Sequence, residues 1–273
     1  MIQLFISNVN FGPGKVFDNL TAGLRKIRVD YQVNPLQLNS STPSYCLSPH
    51  PILFNDSSSM SIGPNICVLP TDLEVVMEQK FKYFITPCSW TKELCSRWID
   101  PDKIKVWPVG IDLDKFNPFN SQKEIDCLLY LKNRTNEELD VVKKILSKFN
   151  QSYTILEYGK YSEEEFLEKI STSKYSFILG NTESQGIAIQ EMMSCNLPLF
   201  VWDKTEWDHR GEEFKCAAST VPYWDKICGI KAGTNIEENF EKFLDTIGDY
   251  NPRSYIENNF SLEKRASEFL TIR

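Results

Sequence analysis

The sequence has 273 residues, of which 41% are hydrophobic and 25% are charged, and its formal net charge is -7. This is the composition of a globular protein with a sizeable core, so an intrinsically disordered chain is excluded. The acidic balance argues against nucleic acid as a partner, because proteins that bind polyanions by bulk charge carry a basic face. A local basic pocket that binds a diphosphate is still compatible with this negative net charge.

The eight cysteines and two histidines bear on metal sites and on disulfides. No two cysteines stand at C-x-x-C spacing, and the histidines are His50 and His209. A zinc site is therefore not expected, and no cofactor is predicted. Several cysteines, such as Cys67 and Cys127, lie in apolar runs, where a free thiol behaves as a small hydrophobe. Reduced thiols are typical of a cytoplasmic protein.

The first residues predict a strand rather than a targeting segment. Met1–Ser7 lacks the basic region and the cleavage site of a signal peptide. No apolar run approaches the roughly 20 residues that cross a bilayer. The sequence therefore predicts a cytoplasmic protein without a transmembrane segment.

The first half of the chain alternates predicted strands with predicted helices. A tight loop is expected over Asn10–Lys15, followed by a helix with an apolar stripe over residues 16–27. Residues 34–50 are rich in Pro, Ser and Asn and predict mostly loop. Strands are predicted at residues 2–7, 31–33, 82–86 and 104–108, and a further helix at 89–98. The segment Pro108–Pro118 is punctuated by Pro, Gly and Asp, which places a domain boundary near residue 117.

The second half repeats the alternation. Strands are predicted at residues 127–131, 153–158, 175–179 and 197–202, and helices at 137–149, 163–171, 186–195 and 262–270. Such alternation predicts parallel sheets with helices on both faces. We therefore expect an α/β protein with two Rossmann-like domains, residues 1–117 and 118–258, and a cleft between them. The last helix, within 259–273, could pack on either half.

The segment Asn181–Pro198 carries the strongest chemical signal. Seven residues separate Glu183, in a loop after a predicted strand, from Glu191, in the following helix. Gly186 opens that helix, and the free N–H groups of Gly186, Ile187 and Ala188 would form an anion site at the edge of a parallel sheet. Two carboxylates beside it can accept hydrogen bonds from sugar or ribose hydroxyls. This combination suits a nucleotide-diphosphate sugar; the alternative is that Glu183 caps the helix and Glu191 is solvated.

This segment resembles the donor-site motif of retaining GT-B glycosyltransferases of the family-4 kind. The resemblance implies that Glu183 lies near the donor sugar, as a catalytic residue, and that Glu191 binds the nucleotide ribose. Three segments resemble that family in the same order, namely Phe11–Lys15 with Gly12 and Gly14 in a glycine-rich loop, Thr86–Leu94, and Pro108–Phe116. The resemblance also implies that the last helix crosses back to the first domain. Some members of that family place a histidine of the first domain near the donor sugar, which makes His50 a candidate catalytic residue; the alternative is a structural histidine in a Pro-rich loop.

Basic residues at predicted strand ends could hold the diphosphate. The resembling family usually has a Gly-Arg pair after the first strand of the second domain, with a Lys a few residues on. Here that strand runs into Lys132 and Arg134, which can supply the same charge, and Lys160 follows the next strand. The alternative for each is a surface charge.

The predicted function is glycosyl transfer from a nucleotide-diphosphate sugar to a glycan or lipid-linked acceptor, with retention and without a catalytic metal. Asp112 and Asp114 have the spacing of a metal-binding pair, but they lie in the interdomain segment. One alternative is a nucleotide-sugar epimerase, against which the scarcity of histidine argues. The other is a non-catalytic nucleotide- or carbohydrate-binding module.

Overall fold

The computed structural model describes residues 1–7, 11–39, 41–54, 57–119 and 121–273. These divide into two compact units, Met1–Asp112 with Phe260–Arg273, and Leu113–Asn259. The division falls at residue 112 rather than at the expected 117, and the last residues of the chain belong with the first unit.

The elements alternate along the chain. The strands are β1 (Ile2–Phe5), β2 (Tyr31–Val33), β3 (Ser44–Cys46), β4 (Ser61–Ile62), β5 (Tyr83–Thr86), β6 (Ile104–Val106), β7 (Ile125–Lys132), β8 (Tyr153–Glu157), β9 (Ser173–Gly180), β10 (Leu199–Trp202), β11 (Glu206–Trp207), β12 (Cys216–Ala217) and β13 (Gly229–Ala232). The α-helices are α1 (Phe11–Lys26), α2 (Glu74–Met77), α3 (Ser89–Cys95), α4 (Asn136–Lys148), α5 (Glu163–Thr172), α6 (Ile187–Ser194), α7 (Ile236–Asp245), α8 (Pro252–Asn259) and α9 (Leu262–Phe269).

The sheet of the first unit is entirely parallel, with strand order β2-β1-β3-β4-β5-β6. Helix α9 packs on α1 in this unit. A Cβ atom on Gly23 would lie 2.5 Å from the carbonyl oxygen of Leu262 and 2.9 Å from the Cβ atom of Ala266, so the two helices require glycine there. The Trp107 indole nitrogen donates a hydrogen bond of 2.8 Å to the Arg265 carbonyl, which adds a polar link to α9.

One expectation for the first half is wrong. The loop over Asn10–Lys15 is helical from Phe11 onward, whereas Asn10 lies outside the described residues. Pro13 is tolerated because the N–H groups of a first turn have no partner within the helix. The described residues of segment 34–50 are mostly loop, as expected, but they include strand β3, whose Ser44, Tyr45 and Cys46 are all buried. Its three residues are too short for a period to show, and pairing with β1 and β4 stabilises them.

The sheet of the second unit is also parallel and has the order β13-β10-β9-β7-β8. Its core on one face is a cluster of aromatic rings; Phe177 and Phe200, for example, have ring centroids 4.9 Å apart, and Phe240 and Phe243 are fully buried beside them. A short antiparallel pair, β11 with β12, follows β10. This unit thus has the alternating architecture that the sequence predicts.

None of the eight cysteines, all within the described residues, forms a disulfide. No helix in the described part of the chain is both long and apolar enough to span a bilayer.

Candidate functional site

The strand order of the second sheet reverses between β7 and β9, which makes this position the topological switch point of the sheet. Strand β8 lies on one side of β7, whereas β9, β10 and β13 lie on the other. The last residues of the two central strands, Lys132 and Gly180, are paired, and the next amide, of Asn181, donates 2.9 Å to the Lys132 carbonyl. Open parallel sheets bind ligands in the crevice outside the carboxyl ends of such strands. The topology therefore places the candidate site here.

Lys132 and Glu183 form an ion pair at this crevice. Lys132 Nζ lies 2.5 Å from Glu183 Oε1, and the two side chains are only 17% and 13% exposed. The ammonium also lies 4.0 Å from the centroid of the Tyr158 ring. Burial raises the pKa of Glu183 above its ordinary value, and the charge and hydrogen bond of Lys132 oppose that rise. The pair thus holds a cation and an easily protonated carboxyl side by side.

Helix α6 begins beside this pair. Gly186, just before its first residue, has φ 65°, a left-handed conformation that glycine adopts without strain. The Glu183 amide donates to the Ser219 carbonyl at 2.9 Å, which anchors the preceding loop. The N–H groups of the first turn of α6, including those of Ile187 and Ala188, have no hydrogen-bond partner within the helix, and this turn follows directly on the loop after β9.

Glu191 lies inside the unit, on α6. Its residue exposure is 1%, so the alternative of a solvated side chain is wrong. Its negative charge contributes to the raised pKa of Tyr161, which burial chiefly brings to about 12. Glu191 also raises the pKa of Cys195, again after burial, to about 12. These effects place a buried carboxylate close to the loop that follows β8.

Tyrosines that the sequence analysis did not select line the same edge. Burial raises the pKa of Tyr130 above its ordinary value, and the nearby Tyr161 and Glu183 raise it further. Tyr158 covers Lys132. The sequence feature that could have identified these tyrosines is their position at the ends of β7 and β8, because side chains at the ends of parallel strands meet at one edge of the sheet.

Arg134 is engaged within its own unit. Its Nη1 donates to the carbonyls of Gly180 at 3.0 Å and Trp202 at 3.4 Å. Its Nε lies 2.9 Å from Glu138 Oε2, and the side chain is 1% exposed. The guanidinium also lies 4.9 Å from the Trp202 ring centroid. These contacts join three strand ends, and donor binding by Arg134 stays a prediction.

Lys160 lies at the surface of the same unit. Its side chain is 69% exposed, and Nζ lies 2.7 Å from Glu157 Oε1 in a surface ion pair. Salt bridges this exposed contribute little to stability. Lys160 therefore has the environment of a solvated charge, which was the alternative considered for it.

The candidates of the first half lie in the first unit. Gly12 and Gly14 are in the first turn of α1 rather than in a loop. His50 follows β3, at the carboxyl end of the strands where that sheet also reverses its order. Its ring centroid lies 5.6 Å from that of Phe5, and the Ile52 amide donates to its Nδ1 at 3.2 Å. The roles of these residues toward a donor remain predictions.

The described residues contain no group of three or more His, Cys, Asp or Glu side chains that could hold a metal ion.

The comparisons bear on the fold. No family model matches the chain, and no curated protein matches its sequence. Among solved structures, the lipopolysaccharide outer core galactosyltransferase WaaB in its apo form is similar with a TM-score of 0.61 at 11% identity, covering 100% of this chain and 99% of that one. Sucrose-phosphate synthase from Thermosynechococcus elongatus gives 0.56 at 11% identity, covering 100% and 98%. An α1,3-fucosyltransferase with GDP gives 0.52 at 10% identity, covering 99% and 89%.

This chain has the GT-B fold. The expectation of two Rossmann-like domains with parallel sheets is thereby confirmed. Within the GT-B fold, the ion pair of Lys132 and Glu183 belongs to the second of the two domains. At identities of 10–12%, the likeness concerns the fold; the site residues rest on the geometry described above.

Proposed function

We propose that the protein is a glycosyltransferase that uses a nucleotide-diphosphate sugar. The observation that carries the proposal is the half-buried ion pair of Lys132 and Glu183 at the switch point of the second sheet, beside the left-handed Gly186 that opens α6. A helix start next to a lysine suits a diphosphate, because both supply positive potential to its oxygens. The GT-B fold and the GDP present in one similar structure support this assignment.

Each side chain has a distinct task in this proposal. Lys132 and the first amides of α6 bind the diphosphate, and Glu191 accepts hydrogen bonds from the ribose. Glu183 orients the sugar and stabilises positive charge that develops at the anomeric carbon. In the transfer, the bond between that carbon and the diphosphate oxygen breaks, and its electron pair leaves with the diphosphate. The acceptor hydroxyl forms the new bond to that carbon and passes its proton to an oxygen of the departing diphosphate.

We further propose that transfer requires no metal and retains the anomeric configuration, with a glycan or lipid-linked saccharide as acceptor. Lys132 supports the first point, because it brings a positive charge to the crevice where the diphosphate would lie. Activity should persist in EDTA. Its complete loss, with recovery on adding manganese or magnesium, would contradict metal independence.

The test separates the two glutamates. UDP and GDP are titrated calorimetrically into the wild type, Glu183→Gln and Glu191→Gln, and transfer from the matching sugar nucleotides is assayed. Glu183→Gln should bind the nucleoside diphosphate and lose turnover, because an interaction made mainly in the transition state lowers kcat without weakening ground-state binding. Glu191→Gln should lose nucleotide affinity.

The control is Glu157→Gln, which removes an exposed carboxylate of the same unit and should leave both readouts unchanged. Wild-type behaviour of both site variants would overturn the proposal. Release of an epimerised sugar nucleotide without acceptor would show an epimerase instead. Binding without transfer or donor hydrolysis across a panel of sugar nucleotides would show a binding module.

A further inference from the structure

A cavity of about 660 Å³ lies at the amino end of the first sheet. It is lined by residues that precede or begin three adjacent parallel strands, namely Thr42 and Ser44 at β3, Ser59 and Ser61 at β4, and Lys82 before β5. Its volume falls within the range of about 300–1,000 Å³ that is typical of small-molecule sites. The candidate donor crevice belongs to the other unit and to the carboxyl end of its sheet, so this cavity is a separate feature.

Tyr45 is one of the residues that line the cavity, and its hydroxyl is buried. The residue is 1% exposed, and its ring centroid lies 4.3 Å from that of Phe269. Its hydroxyl has no hydrogen-bond partner among the described residues. Burial raises the pKa of Tyr45 to about 12, and the charge of Arg273, which also lines the cavity, opposes the rise. A buried hydroxyl without a partner costs free energy, so a group that bonds to it is expected.

The remaining lining defines the chemistry of that group. Hydroxyl side chains dominate it, and the charged side chains among the described lining residues are those of Lys82 and Arg273. No acidic side chain occurs among the described residues that line the cavity. Hydroxyls exchange hydrogen bonds with the hydroxyls of a sugar, whereas Lys and Arg donate charge-assisted bonds to phosphate oxygens.

We propose that this cavity binds a sugar monophosphate, with the phosphate at Lys82 and Arg273 and a sugar hydroxyl at Tyr45. The cavity accommodates a hexose phosphate, and the serine and threonine hydroxyls complete the polar shell. The site is independent of the donor site, and both can be occupied together.

Calorimetric titration of the full chain with glucose 6-phosphate, glucose and inorganic phosphate tests the proposal, in the absence and the presence of saturating UDP. Glucose 6-phosphate should bind at least about tenfold more tightly than either fragment, since it uses both parts of the cavity. Its affinity should not change with UDP. Equal affinity for inorganic phosphate, displacement by UDP, or binding of none of the three would overturn the proposal.

Two variants locate the binding. Lys82→Met should weaken glucose 6-phosphate binding about tenfold through loss of a charge-assisted contact. Tyr45→Phe should also weaken it while leaving the thermal midpoint of the free protein unchanged or higher, because the lost hydroxyl had no partner. Lys242→Met, which removes an exposed lysine of the second unit, is the matched control and should bind as the wild type does. Unchanged affinity in both cavity variants would place the ligand elsewhere and refute the assignment.

Discussion

The carboxyl of Glu183 couples the site to the pH dependence of stability. Its folded-state pKa is raised above the ordinary 4.5, chiefly by burial. A carboxyl that holds its proton more tightly in the folded state contributes stability that is fully present below the unfolded pKa and is lost as pH rises through the folded pKa. The amide of glutamine resembles the protonated form and does not titrate.

The free energy of unfolding of the wild type, relative to that of Glu183→Gln, should therefore fall as pH rises above the ordinary glutamate pKa of 4.5. Urea denaturation at several pH values measures this difference. Glu157→Gln, at an exposed position, should show no comparable trend. A difference that stays level or grows with pH would mean that the attraction of Lys132 outweighs the burial of Glu183.

Arg134 and Lys160 are both basic residues at strand ends, but their burial and their contacts differ. Arg134→Ala removes two hydrogen bonds and a contact with Glu138 from a side chain that is 1% exposed. We expect a loss of roughly 2–3 kcal/mol in the free energy of unfolding. Lys160→Ala, at 69% exposure, should change stability by no more than about 0.5 kcal/mol. Equal effects of the two substitutions in chemical denaturation would contradict the assigned environments.

At the scale of elements, the start of α6 depends on the backbone of Gly186. A Cβ atom there would lie 3.6 Å from Pro222 Cδ, an ordinary contact, so the cost of substitution comes from the left-handed φ of 65°. Gly186→Ala should destabilise the protein by about 1–2 kcal/mol. Gly186→Asn should cost less, because asparagine tolerates this conformation.

The midpoints of thermal unfolding of Gly186→Ala and Gly186→Asn, each compared with that of the wild type, measure the two losses of stability. If alanine and asparagine cost the same, the strain would not lie in the backbone angle. Nucleotide affinity of the asparagine variant reports separately whether the first turn of α6 keeps its geometry.

At the scale of the whole molecule, the last helix belongs with residues 1–112. Phe269 on α9 is fully buried, with its ring centroid 4.7 Å from that of Trp107 and 4.3 Å from that of Tyr45. Phe269→Ala should cost about 3–5 kcal/mol, as is usual for deletion of a buried phenyl ring. The loss should appear in the first unit.

Hydrogen exchange resolved by segment measures where protection is lost. Phe269→Ala should lower it in residues 1–112, whereas Phe243→Ala, a fully buried ring of the second unit, should lower it within 113–259. Loss of protection confined to the second unit in the Phe269 variant would contradict the assignment of α9.

The sequence by itself determined the alternating α/β architecture, because long strands such as β7 and β9 and helices such as α4 carry their periodicity locally. It also located Glu183 and Glu191, since the loop and the helix are adjacent in the chain. Tertiary structure decided the rest. Strand β3 is too short to show a period, and its pairing partners are distant in sequence. A strand-end cation can be half-buried in an ion pair like Lys132, bonded to backbone carbonyls like Arg134, or solvated like Lys160. Which of these occurs depends on contacts between segments far apart in the chain, which local residue patterns do not encode.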